Sequence, residues 1–170
     1  MFEIIFFSII SIIILTPTGY IFYKHSNNII NLSNQLIYGI ILISFITLVI
    51  NFFYPLNPFA NTSILILPAL IIIKNLKTYL SLNFLKFIIF SSIVIFLLVS
   101  KSNIYRPDAI LYHLPYTGVL NNEKIIFGLS NLHFRFAHIS IIQYFSAFFN
   151  NFIFGTKGIV LSIAIIASTV

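Results

Sequence analysis

The constraint that leaves this chain least freedom is a series of long apolar runs, each nearly free of charge and each closed off by a single basic residue or a proline. A bilayer crossing needs about 20 largely apolar residues to traverse roughly 30 Å of hydrocarbon. The runs at 2–23, 37–54, 58–73, 84–100, 136–154 and 158–170 are each read as a crossing or part of one. The expected architecture is therefore all-α: a polytopic transmembrane helical bundle of five to six spans. One long, partly helical outer loop, 101–135, interrupts it. The last run stops without a polar terminus, so the chain is expected to be C-terminally truncated.

The remaining composition excludes the soluble alternatives. Only 7% of residues are charged and 59% are hydrophobic, whereas a soluble domain carries about 25% charged residues. A net charge of +6 would suggest nucleic acid in a soluble protein. Here Lys24, Lys74, Lys77 and Lys157 stand singly between apolar runs, as juxtamembrane anchors do, and no nucleic-acid partner is expected. There is no cysteine, which removes disulfides, zinc–thiolate sites and thiol nucleophiles. No cofactor is expected, and a divalent metal has no support in ligand spacing.

The first run lacks a basic leader and a small-residue cleavage site, so it is read as a retained helix kinked at Pro17. Lys24 with His25, Lys74 with Lys77, and Lys157 fall in alternate loops and are expected on the cytoplasmic side. That arrangement sends the N-terminus and the 101–135 loop outward. Apolar helices rather than alternating strands do the spanning, which points to a multi-pass protein of the bacterial inner membrane.

Polar chemistry concentrates between Lys101 and His138, which hold the only Asp, both Arg and three of the four His. Pro107 suits the first position of a helix, and Asp108 follows where the helix dipole favours negative charge. At helical spacing Asp108, Tyr112 and Tyr116 share one face, with His113 displaced around it. Two readings fit these residues. In one, Asp108 only stabilises a helix start, a matter of about 0.3–1 kcal/mol, and the tyrosines belong to an interfacial belt. In the other, a carboxylate kept at a membrane boundary is there to be used, and Asp108 accepts a proton from an attacking hydroxyl.

In that second reading Arg106, Lys101, Lys124 and Arg135 are available to neutralise a phosphate, with arginine favoured for its bidentate geometry. Further on, Asn131, Arg135, His138, Gln143, Ser146 and Asn150 fall within roughly 140° of arc at helical spacing. They predict a helix entering the membrane with one polar stripe turned to a cavity or a helix neighbour. His138 has no second ligand at convincing spacing for a metal.

The string Asp108-Ala109-Ile110-Leu111-Tyr112-His113-Leu114-Pro115, in a long loop after apolar spans, resembles the first outer loop of GT-C glycosyltransferases. Oligosaccharyltransferases, protein O-mannosyltransferases and aminoarabinose transferases belong to that group. The resemblance implies a membrane enzyme that moves a sugar from a polyprenyl-phosphate donor to an acceptor at the outer membrane face. It makes Asp108 the catalytic residue, and Arg106, Tyr112, His113, Arg135 and His138 the substrate-binding residues. The partners it implies are the bilayer and a lipid-linked sugar donor. The alternative is a non-enzymatic membrane protein, either a transporter or flippase module or a structural subunit.

Overall fold

The computed structural model describes residues 2–23, 29–101, 109–131, 134–137 and 140–169. All regular structure among these residues is helical. Three helices are long and apolar enough to cross a membrane: α1 (Phe2–Gly19), α2 (Ile29–Phe53) and α6 (Leu82–Lys101). The chain is a multi-pass integral membrane protein, and the large side chains exposed along these helices, such as Ile41, Phe45, Phe90 and Leu97, contact lipid. Shorter elements join them: α3 (Pro58–Ile64), α4 (Ile66–Lys74), α5 (Leu76–Tyr79), α7 (Leu114–Asn122), α8 (Ile141–Phe148) and α9 (Leu161–Ala167).

Helix α1 is the centre of the bundle, packed by α2, α6, α4 and α9. Its contact with the antiparallel α2 is backbone on backbone. A Cβ at Gly39 would stand 1.9 Å from the Leu15 carbonyl oxygen, and one at Gly19 would stand 1.8 Å from that of Gln35. Small residues permit such an approach, which recovers dispersion energy in a solvent as apolar as the helices themselves. Most hydroxyls buried in α1 and α2 are satisfied locally, Thr16 being an exception. Ser11 donates to the Phe7 carbonyl at 2.7 Å, Thr18 to Ile14 at 2.8 Å and Ser44 to Ile40 at 2.6 Å. The helix continues through Pro17 and ends two residues later at Gly19.

The contacts at each end of the bundle fix the direction of every segment. Tyr20, just past the end of α1, lies with its ring centroid 6.3 Å from that of Tyr79, and Tyr79 packs on Phe84 at the start of α6. Ser33, early in α2, donates to the Thr169 carbonyl at 2.7 Å. These residues define one end. At the other, where α1 begins and α2 finishes, Glu3 and Lys157 pair at 2.8 Å, and Phe7 meets Phe154 edge-on at 5.3 Å. Residues 155–169 therefore run between the two ends alongside α1, as do α3 and α4 together.

Several expected boundaries move. Helix α2 begins at Ile29 rather than residue 37, because its polar first turns find partners: Gln35 donates to the Tyr23 carbonyl at 3.1 Å, beside the Ser33 bond. The run at 58–73 is broken at Leu65. The continuous helix expected over 136–154 does not form. Phe134–Ala137 is a 3-10 turn, and α8 starts afresh at a capping box, with Gln143 accepting from the Ser140 N–H at 3.0 Å. The chain then turns at Asn151, whose Oδ1 accepts from the N–H groups of Ile153 and Phe154. Asn131 and Asn150 thus lie outside α8, and the single polar stripe dissolves. Lys157 also changes ends. With no crossing over 136–154 it sits beside Glu3, and the basic residues no longer favour one side of the membrane.

Replacing Gly39 with alanine is expected to cost about 1–3 kcal/mol, since the helices must separate to admit one methyl group. Gly118→Ala, whose Cβ meets nothing within 4 Å, is expected to stay within about 0.5 kcal/mol of the parent. Thermal unfolding in detergent micelles distinguishes the two.

Candidate functional site: a polar cap on one end of the bundle

The end where α1 begins and α2 finishes carries a cap made of the 54–57 loop, α7 and α8. Its pieces are joined by asparagine amides rather than by hydrophobic packing alone. Asn61 Nδ2 lies 2.7 Å from the Leu56 carbonyl, 2.9 Å from Ala147 and 2.8 Å from Asn150. Asn121 Nδ2 reaches the same Leu56 and Ala147 oxygens at 2.7 and 3.0 Å. Asn51, in the last turn of α2, donates to Leu120 at 3.3 Å and Glu123 at 3.0 Å. All three asparagines are buried.

The physical cause is the helix terminus. The last carbonyls of a helix have no partner within it, and leaving such groups buried and unpaired costs about 1–3 kcal/mol each. Two hydrogens on a short stem let one asparagine serve carbonyls from two elements. Beneath the amides a second apolar cluster, of Leu56, Tyr116, Leu120, Leu129, Tyr144 and Ala147, fills the cap. Burial pushes the Tyr116 and Tyr144 phenols above their ordinary range; Tyr144 raises Tyr116 further, whereas Tyr116 partly offsets the rise at Tyr144.

On this cap the structure places the described part of the Asp108–Pro115 motif. Residues Ala109–His113 form a π-helical turn that feeds directly into α7. The expected α-helical spacing of Tyr112 and Tyr116 is altered by that turn, although Tyr116 is buried and Tyr112 half-buried. Tyr112 and His113 stand with ring centroids 4.2 Å apart, and the His113 side chain is exposed.

Gln143 Nε2 lies 3.4 Å from His113 Nδ1. The capping box decides how that contact works. Because Gln143 Oε1 must accept from Ser140 N–H, its amide nitrogen faces His113 and donates. His113 Nδ1 is then an acceptor, and the neutral ring carries its proton on Nε2.

Asp108, Arg106 and His138 lie outside the described residues, as does the side chain of Arg135, whose backbone belongs to the 3-10 turn Phe134–Ala137. The cap thus brings together His113 and Tyr112 from the expected set. Among the described residues no group of three His, Asp or Glu side chains is placed to hold a metal ion. A concavity of about 620 Å³ is an apolar groove between α2 and the α3–α4 pair, lined by Ile46, Ile50, Tyr54, Phe59 and Leu67 among others. It opens to the lipid-facing side and is not part of the cap chemistry.

The clamp residues Asn51, Asn61 and Asn121 carry no motif. Their signal in the sequence is position alone: an amide at the end of an apolar run, beside a proline or a turn. A family described as a domain of unknown function (DUF8201) matches residues 1–169. No curated protein and no solved structure matches the chain.

Two measurements probe this site. Asn61→Ala is expected to destabilise the protein by about 1–3 kcal/mol. Because Asn121 shares two of its acceptors, the double variant Asn61→Ala/Asn121→Ala is expected to depart from additivity by at least about 0.5 kcal/mol in thermal or denaturant unfolding. Nitrogen-15 NMR of labelled histidine is expected to find neutral His113 protonated on Nε2. Gln143→Glu keeps the capping box but offers His113 an acceptor, and should move that proton to Nδ1.

Proposed function

The chain belongs to the family described as DUF8201, and we propose that it is the N-terminal part of a membrane-embedded glycosyltransferase that draws on a polyprenyl-phosphate sugar donor. The observation that carries the reading is the setting of the Asp108–Pro115 motif. Its Ala109–His113 stretch is a π-helical turn that runs through Leu114 and Pro115 into a cap that amide clamps hold against the end of the bundle. Irregular turns of this kind recur at functional sites, and a membrane end is where a lipid phosphate resides.

In this reading Asp108 takes the proton of an acceptor hydroxyl as that oxygen bonds to the anomeric carbon of the sugar. The bond from that carbon to the donor phosphate oxygen breaks, and the lipid phosphate departs as an anion. Arg106 and Arg135 balance its charge. The outward Nε2–H of His113 supplies a neutral hydrogen-bond donor to a phosphate or sugar oxygen, and Tyr112 and His138 line the acceptor side. The reading also takes five crossings, with α3–α4 and residues 155–169 completing the set begun by α1, α2 and α6. The cap then faces the outer side of the cell membrane.

The test is transfer of labelled sugar from polyprenyl phosphate in membranes containing the full-length protein. Asp108→Asn is expected to abolish transfer while leaving expression and extraction unchanged. Undiminished transfer by Asp108→Asn would remove the proposal.

A further inference from the structure

The stretch 125–131 presents hydrocarbon outward at a depth where a water-facing loop would not. Phe127 is 85% exposed and its neighbour Ile126 41%, while Leu129 is buried at 8%. Gly128 has φ +84°, a left-handed conformation that suits glycine. It lets the chain reverse directly after Phe127. The turn lies at Phe127–Gly128, and the Asn131 N–H donates to the Gly128 carbonyl at 2.9 Å, closing the 3-10 turn Leu129–Asn131 that follows. Phe127 is therefore at the tip of the turn, and Leu129 comes back inside.

Two independent contacts fix the depth of that tip. The C-terminal carbonyls of α2 need partners from outside the helix; Ile50 O takes the Tyr54 N–H, and Asn51 O takes the Ile125 N–H at 2.8 Å. Asn51 lies two residues before α2 ends at Phe53, which is about 3 Å along the helix axis. Leu129, for its part, belongs to the apolar cluster that takes in Leu48 and Ile50 of the same helix. The turn thus lies beside the last turns of a helix long and apolar enough to span the bilayer, not above it. Val49, Phe52 and Phe53 are exposed on α2 at that level.

We propose that Ile126 and Phe127 insert into the headgroup–acyl boundary of the bilayer, making 125–131 an interfacial anchor for the cap. Phenylalanine and aliphatic side chains bury at that boundary in interfacial segments, where backbone polar groups are best paired, as the Ile125 N–H is with Asn51 and the Asn131 N–H with Gly128. The neighbouring Lys124, exposed, lies where a cation meets headgroup phosphates. The anchor holds the cap, and His113 with it, at the membrane surface. It stands whether or not the protein transfers sugar.

The absence of native cysteine makes the test direct. Phe127→Cys in the full chain is labelled with an environment-sensitive NBD fluorophore and reconstituted in phosphatidylcholine–phosphatidylglycerol vesicles. Phe53→Cys, at the end of α2, serves as the membrane reference and NBD-labelled free cysteine in buffer as the aqueous one. The expected result is emission shifted to shorter wavelength than in buffer, with greater loss to nitroxide-bearing lipids than to aqueous iodide. Water-like emission with greater loss to iodide would overturn the proposal. Ile126→Cys supplies the same readout where Phe127→Cys fails to reconstitute.

Discussion

The arrangement depends first on the close approach of α1 and α2 at Gly19 and Gly39. In lipid no hydrophobic force drives two apolar helices together, so their association rests on fit. Two glycines remove the side chains that would hold the backbones apart, and the Leu15 and Gln35 carbonyls come to lie where methyl groups would otherwise stand. That approach fixes where α2 ends relative to the start of α1. It leaves the other faces of α1 free for α4, α6 and α9, and it carries Asn51, near the end of α2, to the place where the cap is built.

The cap uses a different economy. At the bundle end the backbone leaves regular helix in the 54–57 loop and at both termini of α7 and α8, which exposes carbonyls to a poorly hydrated region. Asn51, Asn61 and Asn121 answer that need, and the sharing of the Leu56 and Ala147 carbonyls by Asn61 and Asn121 couples those two amides. Gln143 extends the same logic outward. One oxygen caps α8, which commits its nitrogen to His113 and so sets the tautomer of the exposed imidazole. A helix cap and a candidate binding group are thereby coupled through one side chain.

The membrane class and the three long helices were legible, because an apolar run of 20 residues has few other fates. Helix ends were less so. The first turns of α2 look polar until Ser33 and Gln35 are seen to bind backbone brought to them by distant segments. The misreading at 136–154 is more instructive. Ser140 and Gln143 form a recognisable capping box, and Asn150-Asn151 is a turn signal, yet both were absorbed into a helical stripe because the surrounding residues are uniformly apolar. Once α8 is short, Lys157 falls beside Glu3 and the charge argument for orientation loses its margin. The clamp asparagines are hard to single out from the sequence, since Asn is abundant throughout the chain. Tyr112 and His113 were chosen from the motif, and the structure sets them on the cap. The chemistry assigned to Asp108 rests on the sequence string and its resemblance.

The sugar transfer proposed for the cap requires it to face away from the cytoplasm, and the arrangement of charge no longer decides the matter. Single cysteines placed in the cysteine-free chain decide it: Ser102→Cys, next in sequence after Lys101 at the end of α6, and Lys77→Cys at the opposite end of the bundle. Intact cells are treated with a membrane-impermeant maleimide. The account predicts that Ser102→Cys labels in intact cells and Lys77→Cys only after permeabilisation. The reverse pattern would place the cap in the cytoplasm and contradict transfer at the outer face.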